Sequence, residues 1–158
     1  MKKYPHEFYR AISDNADNFD NNGYLTKAPF QFNKNDSRKD EYEEMSINWN
    51  DSPKSLKILM ECKNKKGITL ASYGYVCVPR TLLLTKFQDL IRSSELNFER
   101  SPIFGNFIKG IKRNKFHGNI LFKTKTAKKY KVALQEALAN YSNSCIVTRE
   151  DYLKSLKD

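Results

Sequence analysis

His117 is the side chain in this sequence best suited to chemistry. It stands between Lys115-Phe116 and Gly118, just ahead of the run Asn119-Ile120-Leu121-Phe122. Imidazole titrates near neutrality and could move a proton at a phosphodiester. Attack by a 2′-hydroxyl would also need a cation beside the developing phosphate charge, and Arg113 or Lys115 could supply it. The competing reading is a hydrogen-bonded structural histidine at a strand mouth. Arg10, set between Tyr9 and Ala11, poses a similar choice. A guanidinium inside a strand must reach solvent or find a carboxylate or phosphate. Trp49 reads as a core anchor.

Charge supplies the second candidate. Residues 1–50 carry a net −2, residues 51–100 a net +4 and residues 101–158 a net +8. Between Arg100 and Gln135 there is no acidic residue, and the window includes Lys109, Lys112, Arg113, Lys115, Lys123, Lys125, Lys128, Lys129 and Lys131. Phe107, Phe116, Phe122 and Tyr130 interleave with them. Cations that track a phosphate backbone, with aromatic rings that stack bases, are what RNA or single-stranded DNA binding requires. The alternative is a solvated lysine face over core aromatics.

Other chemistries find little footing. Gly105-Asn106-Phe107-Ile108-Lys109-Gly110 has neither the spacing of a P-loop nor its closing Gly-Lys-Ser/Thr. No Gly-x-Ser-x-Gly elbow occurs. Cys62, Cys77 and Cys145 are odd in number and form no Cys-x-x-Cys ladder, so neither a disulfide framework nor a zinc site is expected. No cofactor or metal is expected. The 158 residues suit one domain, and no run approaches the roughly 20 apolar residues of a membrane helix. Without a signal-like start, the expectation is a cytoplasmic protein.

The elements that must position these groups follow from local pattern. Phe8–Ile12 reads as an opening strand, and Ser13–Gly23 as a loop. Ala28–Phe32 reads as a brief extended piece, residues 33–44 as a mobile acidic loop, and Ser46–Trp49 as a strand. Ser52-Pro53 starts a helix to about Lys63, with Leu56, Leu59 and Met60 on one face. Ile68–Val78 is expected as a central strand, with Gly74 admitting a close backbone. Thr81–Ser93 is expected to be one helix, and Asn97–Lys115 irregular or partly helical. Asn119–Phe122 reads as a strand, and a helix capped by Thr124 or Thr126 runs to about Tyr141. Cys145–Val147 reads as a strand, and Thr148 with Asp151 opens a last helix. The pattern predicts a single α+β domain, 1–158, with a small mixed sheet of about four to six strands and three to four helices.

Several short blocks share an order and spacing: Phe8-Tyr9-Arg10-Ala11-Ile12, Gly23, Ala28-Pro29-Phe30, Ser46-Ile47-Asn48-Trp49, Val78-Pro79-Arg80 and His117-Gly118-Asn119-Ile120. Over residues 8–122 the chain resembles a group of small, poorly characterised prokaryotic proteins often encoded in mobile or phage-defence gene islands. The resemblance implies Arg10, Ser46 and His117 as a polar cluster, the catalytic set of an enzyme reading. A strand-borne arginine followed by a serine-containing strand also resembles ADP-ribosyltransferase toxins, whose arginine and serine organise NAD while a later glutamate drives transfer. Here Ser101–Gln135 holds no acidic residue, and Glu136 falls in an expected helix.

Three functions compete on this basis. The first is an accessory basic domain, in phage defence as the resemblance implies, that binds nucleic acid or a complex bearing it through Lys109, Lys112, Arg113, Lys115, Phe116, Lys123, Lys125 and Lys128. The second is a toxin-like ribonuclease or transferase using Arg10, Ser46 and His117. The third is a protein-interaction subunit, paired with a product of the same operon, which would show a sizeable apolar patch.

Overall fold

Alternating apolar side chains turn the strands toward a common core, and the strands meet in one sheet. The computed structural model describes residues 4–35, 38, 41–105 and 112–157. Within them the strands are β1 (Glu7–Ile12), β2 (Asn33–Lys34), β3 (Tyr42–Trp49), β4 (Gly74–Pro79), β5 (Leu96–Arg100), β6 (His117–Lys123) and β7 (Val147–Thr148). Their order is β5-β6-β3-β1-β4-β7, with β2 added to β3. The helices are α1 (Pro53–Glu61), α2 (Arg80–Lys86), α3 (Gln88–Arg92), α4 (Lys128–Asn143) and α5 (Arg149–Ser155). The α+β class matches the expectation. The strands and helices are more numerous, however, and every pairing is antiparallel.

Register divides the sheet into two unlike faces. Phe8, Arg10 and Ile12 lie opposite Val78, Val76 and Gly74. Trp49, Ile47 and Met45 share that face with Gly118, Ile120 and Phe122. Leu83 of α2, Leu90 of α3 and Leu134 and Leu138 of α4 cover it, making the main core. Trp49 is fully buried, stacked on Tyr4 at 5.1 Å and edge-on to Phe8 at 6.1 Å. It is the core anchor its type suggested. On the other face Ala11, Tyr75 and Val147 pack against Met60 of α1 and Tyr152 of α5.

Caps account for two helix starts. Ser52 Oγ accepts from Lys54 N at 3.3 Å ahead of Pro53, and Thr148 Oγ1 accepts from Asp151 N at 3.2 Å. α4 instead begins after Ala127, because Thr126 Oγ1 donates to Glu95 Oε1. Two close approaches require glycine. A Cβ on Gly74 would lie 2.9 Å from Thr148 Cα where β7 joins β4, as its place in the strand suggested. A Cβ on Gly118 would strike the Trp49 indole and lie 2.5 Å from Glu99 O.

Five expectations about elements need correction, the first at Ala28–Phe32, where Ala28–Phe30 forms a 3-10 turn and not an extended piece. Residues 33–44 are not simply a loop: Asn33 and Lys34 pair with Glu44 and Glu43, so both ends of the segment belong to the sheet. The rest of that expectation falls largely on residues 36, 37, 39 and 40, outside the described residues. The strand expected from Ile68 begins only at Gly74. Asn64 Oδ1 accepts from Lys66 N and Ile68 N, and Gly67 takes a φ of 79°, so the chain reverses there and leaves Ile68 and Leu70 exposed. The helix expected over Thr81–Ser93 breaks at Phe87, whose backbone leaves the helical region. Asn97–Lys115, expected to be irregular, contributes most of β5, with Leu96 and Phe98 opposite Phe122 and Ile120.

Candidate nucleic-acid interface

Arg10 points into the wedge where β1 and β3 part. The two strands pair only at Phe8–Trp49 and Tyr9–Asn48, after which β1 follows β4 and β3 follows β6. Arg10 Nε and Nη2 donate to Pro29 O at 3.0 and 2.8 Å, and Nη1 donates to Ser46 O at 2.7 Å. Burial pushes its pKa down to about 10, and among the described residues it forms no ion pair. Its acceptors are the Ser46 carbonyl on β3 and the Pro29 carbonyl of the turn at Ala28–Phe30. This is a structural role that the alternatives of carboxylate, phosphate or solvent left out.

The expected cluster of Arg10, Ser46 and His117 is not assembled. Arg10 shares the core face with Val76, whereas Ser46 and His117 lie on the other face with Asn119 and Asn48. Arg10 reaches Ser46 through the carbonyl, not the hydroxyl. Ser46 pairs with Asn119 and not with His117, which lies two residues further along β6, roughly 7 Å away at strand rise. The His117 Nδ1 proton is committed to Ser101 O at 2.7 Å, since a carbonyl can only accept. Glu136, the acid that a transferase reading would need, lies on the exposed side of α4 beside Lys27 at 4.0 Å.

Around Ser46 the second face carries a network that the sequence did not suggest. Arg38 bridges Glu44 and Glu99, with its Nε 2.8 Å from Glu44 Oε2. Asn119 Nδ2 donates to Glu99 Oε1 at 2.8 Å, and Asn35 Nδ2 to Glu44 Oε1 at 2.8 Å. These bonds tie the segment before β3 to β5 and β6. Among the described residues, no group of three or more His, Cys, Asp or Glu is placed to hold a metal ion.

The basic stretch divides in two. β6 places Lys112, Arg113 and Lys115 before its start and Lys123, Lys125 and Lys128 at or beyond its end, roughly 20 Å apart at strand rise. Lys109 lies outside the described residues. At the far end the charge is mixed. Lys131 pairs with Glu43 at 2.5 Å, and Glu95 accepts from Thr126. Phe116, expected to stack a base, is only 4% exposed and cannot offer a ring face. Its carbonyl accepts from Trp49 N at 2.8 Å, which holds it inward, and the Lys115 ammonium lies 5.2 Å from its ring.

The near end gains what the far end lacks. Asn114 Nδ2 donates to Asn48 Oδ1 at 3.0 Å, and Asn48 Nδ2 donates to Ser55 O at 3.2 Å. Both asparagines are buried, so this relay fixes Asn114 beside the start of α1. Toward the other end of α1, the Lys112 charge acts on the Cys62 thiol, although burial still raises that pKa. Asn114 is thus tied through Asn48 to the start of α1, and the Lys112 charge lies toward the residue that follows its end. Lys112, Arg113 and Lys115 belong to the segment 112–115, and Lys54, Lys57, Lys63, Lys65 and Lys66 belong to α1 and the turn that follows it. All eight are exposed, and none is ion-paired among the described residues. Glu61 is the one acid of α1, and Asp51 ahead of it is held by Arg100 at 2.7 Å. The Lys63–Lys66 run is visible in the sequence, but its neighbour across the fold is not.

No helix among the described residues is long and apolar enough to cross a membrane. Comparison with family models, curated proteins and solved structures finds no match to this chain.

Proposed function

We propose that this is an accessory domain that binds single-stranded nucleic acid, or a complex bearing it, along the cationic strip formed by α1, the turn at Lys63–Lys66 and residues 112–115. One observation carries the reading: the Asn114–Asn48–Ser55 relay ties residues 112–115 to α1, and the eight exposed cations of the two segments form no ion pair among the described residues. Unpaired surface cations gain by displacing condensed counterions from a polyanion, and that gain weakens as salt rises. Sequence-independent contact with phosphates is the expected mode, because the strip offers ammonium groups and no exposed ring among the residues named. An enzymatic role for Arg10, Ser46 and His117 gains no support from their placement.

Fluorescence anisotropy with a labelled RNA and a DNA oligonucleotide of the same sequence, titrated across a salt series, tests the proposal. Binding through Z phosphates gives a log–log slope of about −0.7Z for a single strand. Replacing Lys63, Lys66 and Lys112 by Ala should flatten the slope by about 2. The pair Lys125→Ala and Lys128→Ala should change it by about half as much or less. Absence of salt-sensitive binding, or a larger effect from the second set, would overturn the assignment.

A further inference from the structure

Between α1 and α5 the second face opens as a groove of about 580 Å³. Leu56 and Met60 wall one side, Tyr152, Leu153 and Leu156 the other, and Tyr75 contributes from the sheet. Leu153 and Leu156 are 45% and 63% exposed, so the chain leaves this apolar surface uncovered. Sites for small molecules occupy roughly 300–1,000 Å³, mostly apolar with a few fixed polar groups. The groove has that character.

Its fixed polar group is Arg149. Nη1 donates to Met60 O at 2.9 Å and to Ala71 O at 3.2 Å, anchoring the guanidinium to two backbone carbonyls. Among the described residues Nε and Nη2 have no acceptor, and the charge has no carboxylate within 4.0 Å. Lys57 and Glu61 complete the charged lining, so the groove carries one net positive charge. Glu61 and Arg149 both act on the Tyr152 hydroxyl, yet they do not pair with each other. A guanidinium held in place, with two of its nitrogens unanswered beside an apolar wall, matches a carboxylate attached to an apolar body.

We infer that the α1–α5 groove binds a small apolar monocarboxylate, with its tail between Leu56, Met60 and Tyr152 and its carboxylate on Arg149. A carboxylate balances the charge of the lining and offers two oxygens to Nε and Nη2, whereas an amide offers one carbonyl oxygen and no charge. The groove lies between α1 and α5 and shares Lys57 and Glu61 with the segment proposed to bind nucleic acid, but binding of a small acid is read without any nucleic acid present.

Titration of the ¹⁵N-labelled full chain with phenylbutyrate, octanoate and phenylbutyramide, followed by amide chemical shifts, tests this. Shifts centred on Met60, Tyr75 and Tyr152 are expected, with at least one acid about tenfold tighter than the amide. The aryl and alkyl arms identify the preferred tail. Arg149→Lys should lose most of that difference. Because Arg149 also holds the end of α1, Leu153→Glu serves as the second variant: it sits at an exposed position and sets a carboxylate at the groove mouth. It should weaken the acids about tenfold while leaving the remaining spectrum intact. No shifts at millimolar ligand, equal affinity for acid and amide, shifts centred elsewhere, or undiminished binding by Leu153→Glu would each overturn the inference.

Discussion

Arg10→Ala should cost stability, because the guanidinium answers one carbonyl of β3 and one of the turn at Ala28–Phe30. The substitution removes donations to Pro29 O at 3.0 and 2.8 Å and to Ser46 O at 2.7 Å. A buried acceptor left without a donor costs about 1–3 kcal/mol. Pro29 is buried and pays most of that cost, whereas Ser46 is exposed and water can answer its carbonyl in part. Loss of the aliphatic stem adds to the total, giving about 2–4 kcal/mol. For a chain of this length that corresponds to a fall in Tm of about 5–15 °C. Arg10→Lys should fall between the two, since one ammonium cannot span both carbonyls. Urea unfolding followed by Trp49 fluorescence gives the change from the midpoint, provided m is unchanged. A loss below about 1 kcal/mol for Arg10→Ala would refute the structural role. Retained stability with lost binding or activity would return Arg10 to the functional residues.

Two further outcomes follow from the same packing. Gly118→Ala should destabilise by about 2 kcal/mol or more, because its Cβ would intrude on the Trp49 Nε1 bond to Glu99 O, which is 3.0 Å long. A blue-shifted, unchanged Trp49 emission and an unmoved urea midpoint would contradict this. Alkaline pH should weaken the fold from about pH 9 upward. Burial, reinforced by the Cys77 hydrogen bond to Glu7, pushes the Cys77 thiol up to about 12, and burial pushes Tyr9 to about 12. The unfolded chain sheds those protons first, so their contribution is intact below pH 9 and lost as pH rises toward 12, each at well under the roughly 1.4 kcal/mol per pH unit of a fully buried group because both are partly solvated. Arg10, lowered to about 10, works in the opposite sense above that pH, but one group opposes two. Stability measured by urea titration from pH 8 to 11 should decline, and Tyr9→Phe should reduce the slope.

Local pattern made much of the framework legible. The caps at Ser52-Pro53 and Thr148, the alternation in β1, the Trp49 anchor and the close approach at Gly74 rest on interactions within a few residues or on the absence of a side chain. β5 was hidden because Asn97 and Glu99 dilute its apolar signal, and only pairing with β6 gives that sequence a strand's partners. The strand expected from Ile68 failed for a local reason, since Asn64 and Gly67 close a turn that outweighs the β-propensity of the residues after it.

The sequence by itself determined that positive charge accumulates toward the C-terminal half and that an α+β chain would bury Trp49. Which cations lie together was decided by the tertiary structure. β6 separates Lys115 from Lys123 by its own length, while the Asn114–Asn48–Ser55 relay draws residues 112–115 against α1. The same register set Arg10 and His117 on opposite faces. Side-chain direction alternates with every residue of a strand, so a neighbourhood on a sheet depends on pairing, and pairing joins segments that no local pattern connects.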